Sequence, residues 1–121
     1  MKKYEVEFYE DERGYCPIAE WLRELNNVLS KENSSMLKKI YYQIERLENE
    51  GVSIGEPIIK KIDDQIWELR PIPNRIFFGV FRVNQIVLLH HYRKKTNRTP
   101  NREIEQAKSE YKNWIKRGDR K

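Results

Sequence analysis

Apolar residues recur along the chain with the two spacings that distinguish strands from helices. Tyr4, Val6 and Phe8 alternate with glutamates, which predicts a half-buried strand. From Pro17, a residue suited to the first turn of a helix, the spacing changes to that of one helical face. The apolar positions of this face are Ile18, Trp21, Leu22, Leu25 and Leu29. The pattern therefore predicts a strand followed by an amphipathic helix.

Two further helices are indicated by the same spacing. The polar run at residues 33–35 offers N-caps for a second helix, and Gly51 is a natural C-terminal stop. Its apolar stripe consists of Leu37, Ile40, Tyr41, Ile44 and Leu47. Thr99 is the predicted cap of the last helix, with Pro100 at its first position. The apolar side of that helix holds Ile104, Ala107, Tyr111, Trp114 and Ile115.

Strand-like segments occupy the region between the second and third helices. Residues 66–70, 75–83 and 86–93 are predicted strands, and residues 58–62 are a weak strand or an extended arm. The apolar sides of the first two helices need a sheet to cover them. The sequence thus predicts one α+β domain over residues 1–121, in which an antiparallel-dominated sheet packs on a two-helix hairpin.

Two predicted turns define which strand residues face each other. If residues 84–85 form a two-residue turn, Arg75 faces Lys94, and if residues 71–74 form the preceding loop, Arg70 faces Arg75. The apolar face then holds Trp67, Leu69, Ile76, Phe78, Val80, Val87 and Leu89, with His91 at its edge. The other face holds Glu68, Arg70, Arg75, Phe77, His90, Tyr92 and Lys94, with Ile66, Phe81 and Leu88 at its far end. The last helix is expected to cover that apolar far end and to leave the polar end open.

Basic residues are concentrated toward the end of the chain. The net charge is +5; residues 1–92 contain 13 Lys/Arg and 15 Asp/Glu, whereas residues 93–121 contain 11 and 4. This distribution favours a polyanionic partner, although a solubilising tail would have the same composition. The single cysteine, Cys16, excludes an internal disulfide, and neither a signal peptide nor a membrane span is indicated. We therefore expect a cytoplasmic protein.

The polar face brings three cations into one row. Arg70, Arg75 and Lys94 would repel one another, and a phosphate would relieve this because arginine binds phosphate through a fork of N–H donors. The rings on the same face belong to Phe77, His90 and Tyr92. Together they predict a surface for single-stranded RNA whose bases stack on rings. The alternative is that the arginines form surface ion pairs with acids such as Glu68.

RNA cleavage without a metal would require three groups on this face. A base takes the 2′-hydroxyl proton, a cation holds the charge on the phosphorane, and an acid protonates the leaving 5′-oxygen. The candidate bases are Glu68 and His90, and the candidate acids are Lys94, His90 and Tyr92. Arg75, with Arg70 beside it, is the candidate phosphate cation.

No metal or cofactor is expected from the sequence. His90 and His91 are adjacent on a strand and point to opposite faces, which is poor geometry for joint ligation. His91, on the core side, is interpreted as a packing residue. No carboxylate pair, Cys/His cluster or glycine-rich phosphate loop accompanies them.

Four short motifs resemble the RelE/HigB toxin superfamily, and most closely its phage-derived HigB-like branch. They are IWELR at residues 66–70, RIFF at 75–78, VLLHHYRKKT at 87–96, and TP at 99–100. The resemblance covers roughly residues 3–117. It implies a compact β-α-α-β-β-β-α fold and a ribosome-dependent endoribonuclease that cuts mRNA. It also implies a type II toxin–antitoxin system in which a cognate helix-turn-helix antitoxin neutralises the toxin.

Several site residues match positions that the family uses. Arg75 matches an arginine at the start of the central strand, Arg70 matches the arginine that ends the preceding strand, and Lys94 or Lys95 matches a basic position after the last strand. The further predicted RNA-binding residues are Phe77, Arg93, Lys95 and Arg98. The chain departs from some relatives where a lysine pair is replaced by Ile66 and Glu68, and the late catalytic tyrosine of some relatives has no counterpart near Pro100. A non-catalytic RNA-binding or phage regulatory protein on the same fold is therefore the alternative function.

Overall fold

A computed structural model describes residues 2–95 and 98–118. In this part of the chain the order of elements is β1 (Glu5–Phe8), α1 (Pro17–Asn27), α2 (Lys31–Glu50), a 3₁₀ turn (Gly51–Ile54), β2 (Ile59–Lys61), β3 (Ile66–Leu69), β4 (Asn74–Phe81), β5 (Gln85–Arg93) and α3 (Asn101–Gly118). The strands form one sheet in the order β1-β5-β4-β3-β2. Strand β1 runs parallel to β5, and the other neighbours are antiparallel. The predicted α+β class is confirmed, and the weak segment at residues 58–62 contains the edge strand β2.

The sheet separates two hydrophobic cores. Helices α1 and α2 cover one face, which we call the hairpin face, and α3 covers the other, the α3 face. The hairpin-face core includes Ile18, Trp21, Ile40, Leu47, Leu69, Ile76, Phe78, Ile86 and Leu88. The α3-face core includes Tyr9, Ile66, Phe77, Val87, Leu89, Tyr92, Ala107 and Tyr111. With both faces covered, the central strands β4 and β5 are apolar along most of their length.

Helix ends depart from the predicted positions by a few residues. Helix α2 begins earlier than predicted because the Ser30 hydroxyl accepts a hydrogen bond from the Asn33 backbone N–H at 3.0 Å. Leu29 consequently lies in the turn between α1 and α2 and is 94% exposed, so its assignment to the apolar face was wrong. Tyr41, 54% exposed, is likewise outside the core. The predicted stop at Gly51 is confirmed, since Gly51 has φ +60°.

The loop between β4 and β5 is longer than predicted. Phe81 pairs with Gln85, so residues 82–84 form a three-residue loop in which Arg82 has φ +53° and Val83 is exposed. A bulge follows at Phe77, where β5 contributes one extra residue. Beyond the bulge Arg75 pairs with Tyr92 rather than with Lys94.

The longer loop and the bulge have opposite effects on which side chains share a face. Before the bulge, Ile86 and Leu88 lie on the hairpin face, and Val87 and Leu89 lie on the α3 face. The predicted faces of Leu88, Val87 and Leu89 were therefore wrong, because a one-residue change of register inverts every side chain. After the bulge the predicted alternation returns, and Tyr92 lies on the α3 face as expected. The predicted β3–β4 register is confirmed, with Leu69 opposite Ile76.

Close packing of α3 on the sheet depends on Gly79. A Cβ at this position would lie 2.3 Å from the Tyr111 ring, so only glycine admits the ring against β4. The Tyr111 hydroxyl then donates a hydrogen bond to the Val80 carbonyl at 2.8 Å. None of the described helices is long and apolar enough to cross a membrane.

Candidate nucleic-acid interface

A fully buried carboxylate, that of Glu68 on β3, organises the polar end of the sheet. Its Oε1 atom lies 3.2 Å from Arg70 Nε and 3.4 Å from Arg75 Nε. Its Oε2 atom accepts a hydrogen bond from the Tyr92 hydroxyl at 2.8 Å and one from the Thr99 hydroxyl at 3.3 Å. Three hydrogen-bond donors and the Arg75 guanidinium thus surround one buried negative charge, as its desolvation requires.

Thr99 has a different role from the one predicted. Its hydroxyl binds Glu68 and lies 3.2 Å from the Tyr92 hydroxyl, which joins the segment before α3 to strands β3 and β5. Helix α3 begins at Asn101, and the Pro100 carbonyl accepts the first hydrogen bonds, from the Glu103 and Ile104 N–H groups. The predicted start of α3 is therefore close, but the side chain chosen as its cap contributes to the polar site.

Arg75 lies at the boundary between the buried carboxylate and solvent. Its side chain is 9% exposed, against 16% for Arg70. Arg75 Nη1 donates a hydrogen bond to the Asn74 carbonyl at 3.0 Å, whereas Nε is close to Glu68 without hydrogen-bond alignment. The Arg75–Glu68 contact is thus mainly electrostatic, and it leaves guanidinium hydrogen-bonding capacity unused.

Positive charge exceeds negative charge around Glu68. Burial lowers the pKa of the Lys94 ammonium, and the nearby charges of Arg75, Arg70 and Lys60 lower it further, while Glu68 opposes them. Three other cations and one carboxylate therefore lie within electrostatic reach of Lys94. We call Lys60, Arg70, Arg75 and Lys94 the cation row. Such an excess is relieved when an anion binds.

His90 forms a clamp between β5 and α3. Its Nδ1 lies 2.6 Å from Glu110 Oε1 and its Nε2 lies 3.0 Å from Glu103 Oε1, and the residue is 4% exposed. Burial lowers the pKa of His90, but hydrogen bonds and charge interactions with both glutamates outweigh it and raise the pKa overall. Both ring nitrogens face carboxylate oxygens, an arrangement that favours the protonated ring over the neutral one.

The predicted stacking rings pack against one another under α3. The Phe77 ring is fully buried, with its centroid 5.3 Å from that of Tyr92 and 5.1 Å from that of His90. Burial raises the pKa of Tyr92 to about 12, with Glu68 contributing in the same direction. These rings stabilise the attachment of α3 to the sheet, and no face of Phe77 is available to a nucleotide base.

The expectation of an open polar end is therefore only partly correct. The structure buries Glu68, Phe77, His90 and Tyr92 beneath α3 and the segment before it. The remaining predicted residues reach the surface to differing extents: Arg75 is mostly buried, Arg70 and Lys94 are half-buried, and Arg93, Lys95 and Arg98 are exposed. Sequence reasoning assumed that α3 covers only apolar positions, and it overlooked the two glutamates on α3 that bind His90.

His91 lies on the hairpin face, as predicted. Its ring stacks on that of Trp21 in α1, with centroids 3.8 Å apart and planes inclined by 6°. Burial lowers the pKa of His91 to about 4, and the neighbouring His90 contributes. His91 is therefore a neutral packing residue at physiological pH. Within residues 2–95 and 98–118, no three His, Cys, Asp or Glu side chains are grouped to hold a metal ion.

A family model agrees with the extent of this domain. The model described as Phage derived protein Gp49-like (DUF891) matches residues 20–112, from α1 to the middle of α3. The chain belongs to this family. The matched span of the Gp49-like domain includes every strand except β1 and all four members of the cation row. A search of curated proteins finds no significant match.

Proposed function

We propose that this Gp49-like protein is the toxin of a type II toxin–antitoxin system, a RelE/HigB-like endoribonuclease that cuts mRNA on the ribosome without a metal. The observation that carries the proposal is the cation row: two arginines contact the single buried carboxylate of Glu68, and two lysines lie nearby. An RNA phosphate supplies the missing negative charge. The phage-derived family and the sequence motifs favour a toxin over other phosphate-binding classes.

Each proposed role depends on where the side chain lies. Arg75 and Arg70, both oriented by Glu68, hold the phosphate and stabilise the phosphorane. Lys94, whose pKa is lowered, is the best placed acid for the leaving 5′-oxygen, because an ammonium with a lower pKa is a stronger acid. Tyr92, with a pKa near 12, is a poorer acid at neutral pH.

The structure also favours a second candidate function, an RNA-binding or phage regulatory protein without catalysis. Both carboxylate oxygens of Glu68 accept donors, and both nitrogens of His90 contact glutamates. Neither candidate base has a free lone pair directed at solvent in this arrangement. A non-catalytic protein would use the same cation row to bind RNA.

Primer extension on translated mRNA distinguishes the two functions. We expect new 5′ ends when the wild-type protein is induced, together with growth arrest that a neighbouring helix-turn-helix antitoxin gene relieves. Arg75→Ala should lose about 2–4 kcal/mol of transition-state stabilisation, by comparison with the removal of one oxyanion donor. Arg46→Ala, which removes a partly buried arginine–carboxylate pair within α2 on the hairpin face, is the control.

The toxin and the non-catalytic binding protein predict different results in these experiments. Cleavage that is abolished by Arg75→Ala and retained by Arg46→Ala, with both variants folded, supports the toxin. Arrest without new mRNA ends, combined with salt-dependent RNA binding, supports the binding protein instead. Unchanged cleavage by a folded Arg75→Ala protein overturns the proposed site. The toxin function would place the protein in the cytoplasm with the ribosome.

A further inference from the structure

The edge strand β2 adds a cation that the sequence pattern did not single out. In the β2–β3 register Lys60 lies opposite Glu68. Facing residues project to the same side of a sheet, so Lys60 lies on the α3 face with the carboxylate. Lys60 is exposed, and in the part of the chain that the structure describes it forms no ion pair.

The next residue on the same strand, Lys61, lies on the opposite side. It pairs with Trp67, and its ammonium is 5.7 Å from the centre of the Trp67 ring, which packs on the hairpin-face core. Lysines on an edge strand commonly prevent pairing with other sheets, and both residues serve that purpose equally. Only Lys60 belongs to the cation row.

The cation row extends over a longer distance than one phosphate group can contact. Lys60 lies on β2 and Arg75 on β4, whereas Arg70 directly follows β3 and Lys94 directly follows β5. These four strands are consecutive in the sheet. Three inter-strand spacings of about 4.8 Å give the backbone positions of the row a width of about 14 Å across the sheet. The positions are also staggered along the strands, because Lys60 faces Glu68 whereas Arg75 faces Tyr92. Arg70 and Arg75 share the carboxylate of Glu68 near the middle, whereas Lys60 is at the outer end and has no such partner.

We propose that Lys60 forms a second phosphate subsite, which binds the RNA backbone beside the phosphate held by Arg70 and Arg75. The inference rests on the proposed function, since it extends the same RNA site across the β2 edge of the sheet. Lys60 is outside the reacting centre, so its contribution is to binding rather than to the chemical step.

The matched pair Lys60→Gln and Lys61→Gln tests the subsite. Binding of a short, fluorescently labelled single-stranded RNA by the full chain is measured by anisotropy over a series of potassium chloride concentrations. Loss of one phosphate contact should reduce the slope of log K against log salt by about 0.7 for Lys60→Gln. Lys61→Gln should keep the wild-type slope, and Lys60→Arg should restore it.

Cleavage of ribosome-bound mRNA separates failure of the subsite from failure of the proposed function. For Lys60→Gln we expect a higher KM with little change in kcat. Wild-type cleavage with equal salt slopes for Lys60→Gln and Lys61→Gln would overturn the subsite and leave the toxin function intact. A wild-type protein that neither binds the RNA nor cleaves mRNA would overturn both.

Discussion

Glu68 shows how one buried charge determines the positions of several others. It is completely buried, yet it contacts two arginines, a tyrosine and a threonine from four separate segments. The sequence placed Glu68 on the correct face, because alternation along β3 and the β3–β4 turn are local features. Its burial was not predictable, because it depends on α3 and on Thr99, which lie more than thirty residues away.

Glu68→Gln is expected to destabilise the fold. The amide retains the shape but removes the charge, and its NH₂ group faces side chains that are themselves donors. Breaking a buried ion pair by neutralising one partner lowers the free energy of unfolding by about 3–5 kcal/mol. Urea unfolding measures the change, with the exposed Glu45→Gln as control. A decrease in the free energy of unfolding as small as that of Glu45→Gln would contradict the stabilising role assigned to Glu68.

His91 is expected to weaken the protein in acid. Its pKa is lowered to about 4 in the folded state, below the ordinary value of 6.5, so the unfolded chain binds the proton more tightly. Its stabilising contribution is therefore complete above pH 6.5 and is lost as the pH falls toward 4. His91→Phe, which keeps a ring against Trp21, should reduce the fall in Tm between pH 7 and pH 4. An unchanged pH profile would contradict this assignment.

At the scale of elements, the helices and the β3–β4 hairpin were predictable, whereas β5 was only partly so. Helical spacing located α1, α2 and α3 because each has a continuous apolar stripe. In β5 residues 86–89 form an uninterrupted apolar run, so alternation carries little information about their faces. The bulge at Phe77 is an irregularity of pairing between strands, and no local signal marks it.

The contribution of the His90 clamp to stability should decrease as the pH rises. The pKa of His90 is raised above its ordinary value of 6.5 in the folded protein. The protonated His90 therefore stabilises the fold fully below about pH 6.5, and less as the pH rises through the folded-state pKa. Glu110→Gln removes one of its two carboxylate partners and should bring the His90 pKa down. Imidazole titration by NMR measures that change, with the exposed Glu105→Gln as control. Equal His90 pKa values in the two variants would contradict the clamp.

At the scale of the whole molecule, charge distribution and sheet order together define the candidate RNA surface. The excess of basic residues after residue 92 indicated a polyanionic partner, and Lys94 is the part of it that joins the cation row. Lys60 was not recognised, because its strand is short and its place beside β3 appears only when the sheet is assembled. The three cations inferred from the sequence interact electrostatically, but Arg75 is much less exposed than expected.

Product analysis of an mRNA in a reconstituted translation reaction tests the central claim most directly. Attack by the 2′-hydroxyl, with protonation of the 5′-oxygen, leaves a 2′,3′-cyclic phosphate on one fragment and a 5′-hydroxyl on the other. We expect the purified protein to produce these ends on mRNA engaged by ribosomes, and Arg75→Ala to produce them far more slowly. Intact mRNA after incubation with folded wild-type protein, or fragments carrying 5′-phosphates, would contradict the proposed function.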